Sequence, residues 1–435
     1  YQRRVRGMVF FIQSLQIICG MLDYNKDLKN GENAMSSIYT QAGARKLLHH
    51  KLQNITNDMH LSDLTLRVNI GFIIDFYISN LIVKNISFSE DTNVEFKNNN
   101  IFTTIIANSQ LSFDWEFKQH TYPYISDAGT GSMNATNSST SGVLKGVVDQ
   151  NADCPGHLRL EYDTDATQTE NVTLELFGGS SWIFDGLLKE LTDVITKEFE
   201  VCLAGLLESG ILYQVKSNLY QSTYSANYTK PFDLTFKDER FTSNLQVQND
   251  ILVLRKSGYI FSQKDIKDQF VDQTFVEPKL VGQQKDVQHV VQQAAFNNLL
   301  YVLHQYENAF SLGKIVFQKA PVIDISDNGI KMKVDVKVDE QIIQVELEGM
   351  PVWKQEMKDS IRYTSLYFYF KLDKAEHMVK SDQIDEIAEQ VRDLVNIVLE
   401  NGGYQLNNLP ELTDTEFVVD SELKAVKFFA QIQIK

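Results

Sequence analysis

The sequence predicts an α+β protein built as an elongated pair, each half a set of meandering antiparallel strands wrapped on a long helix. Three observations carry that expectation. In "LSFDWEFK" (111–118), Leu111, Phe113, Trp115 and Phe117 alternate with Ser112, Asp114, Glu116 and Lys118. Period-two alternation puts the first set on one face of a strand and the second on the other, so the strand is half buried. From Trp182 to about Tyr220, the residues Leu187, Leu188, Leu191, Ile195, Phe199, Cys202 and Leu206 recur at helical spacing. The order helix, strands, helix then occurs a second time, as a repeat of order rather than of sequence. At 435 residues the chain is too long for one ordinary core.

The elements follow in order. The N-terminal "RRVRGMVFFIQSLQIICGML" sets three arginines before an apolar run from Met8 to Leu22. Fifteen residues are short for a membrane span and right for the apolar region of a secretory signal, retained or cleaved. A helix is expected at about 37–56, with Ile38, Ala42, Leu47, Leu48 and Leu52 in one stripe. Strands follow in "GFIIDFYISNLIVKNISFS", alternating through Phe72, Ile74, Phe76 and Ile78, and in 100–118. The Gly/Ser/Asn/Thr-rich stretch 127–142 reads as a mobile hairpin tip. Further strands are expected at 143–150, 156–164 and 170–177, then the long helix. In the second half, strands at about 232–262 precede a helix at about 284–307. "IKMKVDVKVD" then alternates through Met332, Val334, Val336 and Val338. A helix at 381–401, ended by Gly402 and Gly403, and two final strands close the chain.

Charge limits the function classes. The formal net charge is −16, and it is spread along the chain: residues 31–230 hold 13 basic and 23 acidic side chains, and 231–435 hold 23 and 32. Neither half is basic, which argues against nucleic acid and against strong electrostatic binding to anionic membranes or glycolipids. Six N-x-[ST] sequons, at Asn54, Asn85, Asn134, Asn137, Asn171 and Asn227, are glycosylation candidates and fit secretory routing. Of three cysteines, Cys19 sits in the apolar leader. Cys154 and Cys202 are either one disulfide, worth roughly 4 kcal/mol on the loop-entropy account, or two free buried thiols.

The motifs of common catalysis are missing. The sequence has no G-x-S-x-G, H-E-x-x-H or P-loop, and its eight histidines lack metal-ligand spacing. "DISDNGIKMKVD" (324–335) partly mimics a calcium loop. Its twelfth residue is Asp335 rather than Glu and strands flank it, so Asn328-Gly329 is read as a hairpin turn. No enzyme, metal or cofactor is expected.

Four local patterns together resemble one family. "IYTQAGARKLLHHKLQNI" looks like its opening helix, and "GFIIDFYISNLIVKNISFS" with "LSFDWEFK" its early strands. Cys154 and Cys202 sit where it places its one strand-to-helix disulfide. The tail from Asn401, through Leu409-Pro410, resembles its last helix and hairpin. The family is that of bactericidal/permeability-increasing protein, lipopolysaccharide-binding protein and cholesteryl ester transfer protein, within the tubular lipid-binding (TULIP) superfamily.

The resemblance implies a boomerang of two barrels, each a twisted antiparallel sheet wrapped on a long helix, joined by a central sheet. Its parts would be a leader and linker at 1–35, an N-terminal lipid-binding barrel at 36–215 and a central sheet and linker at 216–269. A C-terminal barrel at 270–435 would return its final strands to the central sheet. It implies apolar pockets for phospholipid acyl chains, for which Leu47, Phe72, Ile74, Phe76, Leu111, Phe113, Trp115, Leu191, Ile195, Val334 and Val336 are the candidates. Plain core is the alternative for each.

The leading expectation is a non-enzymatic lipid-binding or lipid-transfer protein of the secretory pathway, lumenal or extracellular, with bound phospholipid and transient membrane-surface contact. Two others compete. One is a structural subunit assembled through the N-terminal apolar segment. The other is host-defence recognition of lipopolysaccharide, which the acidic charge disfavours.

Overall fold

The computed structural model describes residues 33–53, 59–61, 66–70, 74–97, 99–149, 156–178, 226–227, 232, 234–248, 250–262, 264–265, 285–338, 341–358, 361–376, 383–406 and 411–433. The apolar leader, the long helix expected at 182–220 and both Cys154 and Cys202 lie outside the described residues.

In chain order the elements begin with β1 (Met35–Thr40), α1 (Gln41–Leu52), β2 (Met59–Leu61), β3 (Leu66–Ile70), β4 (Ile74–Phe88), β5 (Asn93–Lys97), β6 (Asn100–Gln119), β7 (Ser126–Asp149), β8 (His157–Gln168) and β9 (Asn171–Phe177). There follow β10 (Ala226–Asn227), β11 (Thr235–Lys237), β12 (Gln246–Gln248), β13 (Ile251–Lys256), β14 (Ile260–Ser262), β15 (Val287–Gln292) and α2 (Gln293–Gln305). The chain closes with β16 (Ser311–Leu312), β17 (Ile315–Phe317), β18 (Val322–Ser326), β19 (Gly329–Val338), β20 (Gln341–Lys358), β21 (Ile361–Glu376), α3 (Gln383–Asn401), β22 (Tyr404–Gln405), β23 (Leu412–Asp420) and β24 (Ala425–Ile432). The protein is thus α+β and mostly antiparallel sheet, with three helices among the described residues. None of these helices is long and apolar enough to cross a membrane.

The described residues form two compact units. Those of the first fall within Leu48–Lys145 and Leu160–Val215, and those of the second within Cys19–Leu47, Gly146–Arg159 and Lys216–Lys435. The first is built on the eight-stranded sheet β2-β4-β6-β7-β8, with β3 on β4, β5 on β6 and β9 on β7. The second holds a six-stranded sheet β12-β13-β1-β15-β24-β23, a three-stranded sheet β10-β11-β14, and a seven-stranded sheet β16-β17-β19-β20-β21-β22 with β18 on β19.

Three expectations change. The helix expected at 37–56 starts only at Gln41, because Met35–Thr40 is a strand paired with β13 on one side and β15 on the other. Two-sided pairing in the middle of a sheet outweighs the helical stripe that Ile38 suggested. In the same way the helix expected at 284–307 opens as β15, paired with β1 and β24, and becomes helical at Gln293.

The third change concerns 127–142. This stretch is no hairpin tip: it runs through the middle of the 24-residue β7, paired with β6 on one side and, through Asn171–Phe177, with β9 on the other. The turn that precedes it is 120–125, around the cis peptide Tyr122-Pro123. The helix at Gln383–Asn401 is as expected. So is the β18–β19 hairpin, whose pair Ser326↔Gly329 closes on Gly329 at φ 94°.

The second unit has an apolar core. On α3, Ala388, Val391, Leu394, Val395, Val398 and Leu399 face inward at helical spacing. They share one cluster with α2, whose Phe296 ring lies 4.6 Å from that of Phe368 on β21. Val334 and Val336 of β19 belong to this same cluster.

Both helices also satisfy strand backbone. On α2, the Asn297 Nδ2 donates to Ile323 O at 3.0 Å while the Ile323 N–H donates to Asn297 Oδ1 at 2.7 Å. One turn away, the Ile325 N–H donates to Gln293 Oε1 at 2.7 Å. Residues i and i+4 share a helix face and span about 6 Å, close to the rise of two strand residues. Asn396 on α3 does the same for Phe370 of β21, at 2.8 and 2.9 Å. Sheet edges are thus covered by amides rather than left open for pairing.

Candidate functional site

The candidate site of the first unit is the apolar face of its sheet, and β6 is its centre. Leu111, Phe113, Trp115 and Phe117 are each 1–3% exposed, while Ser112 and Asp114 are half-buried and Glu116 and Lys118 exposed. Register extends the face across neighbouring strands. Ile78 of β4 lies opposite Trp115, and Met133 of β7 opposite Leu111; both are 2% exposed. Phe76 pairs with Phe117, and Ile74 with Gln119.

Two glycines make room for the large rings. Gly131 stands opposite Phe113 and Gly129 opposite Trp115. A Cβ at Gly131 would lie 2.4 Å from the Phe113 ring, and one at Gly129 would lie 2.8 Å from the indole. The rings therefore lie across the neighbouring strand where it has no side chain. This explains why a Gly/Ser-rich stretch can hold a central strand. The polar end of Trp115 is satisfied, since its Nε1–H donates to Thr130 O at 2.9 Å, and its ring stacks on Phe117 with centroids 6.3 Å apart. The side chains that β6 buries on this face between Leu111 and Phe117 are all apolar.

The other expected site residues are placed as follows. Leu47 is half-buried on α1 and belongs to the second unit. Val334 and Val336 are core residues of the second unit. Phe72, Leu191 and Ile195 lie outside the described residues, as does Asn54. Asn85, Asn134, Asn137 and Asn171 are all exposed on strands of the first unit, and Asn227 lies in β10. Gly129 and Gly131 were missed. Glycines placed opposite aromatic residues become visible only once the register between the two strands is known.

Electrostatics are local here. The Lys118 ammonium pairs with Glu116 at 2.8 Å, which raises its pKa. His120 Nε2 lies 2.8 Å from the buried Asp75 carboxylate. Among the described residues no three His, Cys, Asp or Glu side chains are grouped to hold a metal ion.

No family model and no curated protein matches the sequence. Solved structures do. Lipopolysaccharide binding protein superposes with a TM-score of 0.51 at 12% identity, over 93% of this chain and 99% of that one. Takeout 1 of Epiphyas postvittana, at 12% identity, covers 41% of this chain and 89% of its own with a TM-score of 0.28. P47 of Clostridium botulinum E1, at 11% identity, covers 93% and 100% with a TM-score of 0.23. The weight rests on the first of these, which spans nearly the whole of both chains. By that superposition the chain has the fold of lipopolysaccharide binding protein.

Proposed function

We propose that this chain is a non-enzymatic lipid-binding and lipid-transfer protein that holds phospholipid acyl chains in apolar pockets. The observation that carries the reading is the continuous apolar face around Leu111, Phe113 and Trp115 within a tubular lipid-binding fold. Each buried CH₂ group contributes about 0.8 kcal/mol, so two acyl chains would be held firmly without any charged contact. Lipopolysaccharide binding protein is by its name a binder of lipopolysaccharide. The acidic balance of the present chain favours a lipid with less negative charge.

In this reading the protein is a boomerang of two barrels. Phe72, Ile74, Phe76, Leu191 and Ile195 join the β6 face in the first pocket, and Val334 and Val336 border the second. Cys154 and Cys202 form a disulfide, and the sequon asparagines carry glycans acquired in the secretory pathway. Contact with membrane surfaces is transient, for loading and release.

The test is native mass spectrometry of the purified full chain, with extraction of whatever it carries. The expected result is a mass excess matching one or two phospholipids per chain, which transfers to acceptor vesicles. Protein that purifies free of lipid and takes none from phosphatidylcholine vesicles would overturn the proposal.

A further inference from the structure

The opposite face of the same sheet carries a feature that lipid binding does not use. Between β4, β6, β7 and β9 lies a half-open groove of about 520 Å³, lined by Asn80, Ile82, Ser112, Asp114, Thr130, Ser132 and Phe177, with Phe113 and Gly131 beneath. Register explains the lining. Ile82, Ser112 and Ser132 form one rung across three strands, and Asp114, Thr130 and Phe177 form the next. Residues directly opposite share a face, so these side chains project together on the side away from Trp115. The backbone of Phe113 and Gly131 forms the floor.

The groove is shaped by a bulge. The pairing of β4 with β6 shifts register between Ser79 and Ile82, and Asn80 sits there at φ 51°. Such a bulge bends the strand and re-aims a side chain. Here the Asn80 amide donates to Asp114 Oδ2 at 2.6 Å. That bond holds the amide and the carboxylate side by side, with one carboxylate oxygen and the amide oxygen making no hydrogen bond to another described residue. The hydroxyls of Ser112, Thr130 and Ser132 make no hydrogen bond to another described side chain. The Phe177 ring, 50% exposed, stands at one end of the rung.

We infer that this groove is a binding site for a neutral or amino sugar, a pyranose lying with its C–H face on Phe177. The chemistry selects that class. Three hydroxyls, a carboxylate and an amide match a ring of alternating donors and acceptors, and the electron-rich face of Phe177 matches the weakly positive C–H face. Asp114 repels phosphate and carboxylate, so acidic sugars are excluded. A single carboxylate without partners of its kind does not make a cation site. An added peptide strand would need an open sheet edge, whereas β6 and β7 are paired on both sides here.

The sugar has two sources. It is either an external glycan or the chain's own glycan at Asn134, which is exposed on the same face about 7 Å along β7 from Ser132. The proposal is independent of lipid binding, and lipid content by native mass spectrometry is measured on the same samples so that the two can fail separately.

The experiment is saturation-transfer NMR of the full chain, expressed with and without N-glycans, against the methyl glycosides of glucose, galactose, mannose and N-acetylglucosamine. Probes at about 10 mM suit the millimolar Kd expected of a shallow open site. Transfer strongest to the C–H protons of one sugar face is expected. Asp114→Ala and Phe177→Ala should each raise Kd about tenfold, with Thr130→Val as a third variant should either fail to fold. Binding to both preparations assigns an external glycan, and binding only to the glycan-free protein assigns the Asn134 glycan. The proposal is overturned by silence from all four probes in glycan-free protein, by binding that survives all three substitutions, or by preference for glucose 6-phosphate over methyl glucoside.

Discussion

Truncating Asn297 tests how the seven-stranded sheet of the second unit is closed. Asn297 is 2% exposed and Ile323 is fully buried, so neither is in contact with bulk water. Asn297→Ala deletes two hydrogen bonds, of 3.0 and 2.7 Å, and orphans both the carbonyl and the N–H of Ile323. Each buried orphan costs about 1–3 kcal/mol. Some of this is offset because the mutant no longer buries an amide, which leaves a net loss of about 2–4 kcal/mol. Gln293→Ala removes one strand contact, the acceptor for the Ile325 N–H, and should cost less. Global unfolding of a two-unit chain need not be two-state, so the decisive readout is local amide exchange by mass spectrometry. In Asn297→Ala the β18 peptide containing Ile323 should exchange about 30-fold faster or more, the rate ratio equivalent to about 2 kcal/mol, while β6 is unchanged. An exchange rate in β18 within about twofold of the parent would refute the amide-edge account.

Three further outcomes are expected. His289 is buried beside Ser37, at 2.9 Å from its hydroxyl, and stacked on Phe428; burial, with the Lys256 and Lys237 ammoniums adding to it, pushes its pKa down to about 3. A depressed histidine is neutral when folded and protonates on unfolding. Its contribution is therefore complete above about pH 6.5 and is lost towards pH 3, at about 1.4 kcal/mol per pH unit. The difference in stability between parent and His289→Gln, followed by urea titration across that window, should show this slope. Glu239 lies between Lys237 and Lys256 with all but 2% of it buried; burial raises its carboxyl pKa, and the two ammoniums more than reverse that, leaving it below the ordinary value. Glu239→Gln should cost about 3–5 kcal/mol in thermal or urea unfolding by stranding the buried Lys237 ammonium, and Lys237→Met with Glu239→Leu should recover most of it. Gly131→Ala drives a Cβ to 2.4 Å from the Phe113 ring, so it should destabilise the first unit by about 1–3 kcal/mol and lower lipid content in native mass spectra.

Much of this protein is readable before any coordinates. The alternation in 111–118 determines by itself which residues of β6 are buried, because side-chain direction along a strand has period two whatever the neighbours are. The amphipathic stripe of 383–401 determines α3 in the same way, through a period of 3.6. Elements whose state depends on partners far along the chain were not readable. Met35–Thr40 and Val287–Gln292 carry residues that also suit a helix, and only pairing with each other and with β13 and β24 makes them strands. The same holds for 127–142. Its glycines and serines signal a loop locally, yet opposite Phe113 and Trp115 they supply the space that two rings require.

The groove illustrates the division most clearly. Ser112, Asp114, Thr130 and Ser132 read as an ordinary solvated face, and nothing in their spacing distinguishes them. Local sequence determines which face of a strand a residue joins, because that follows from backbone geometry alone. Only tertiary structure decides what stands beside it, because register and a single bulge at Asn80 bring together residues that are 97 positions apart in the chain, from Asn80 to Phe177.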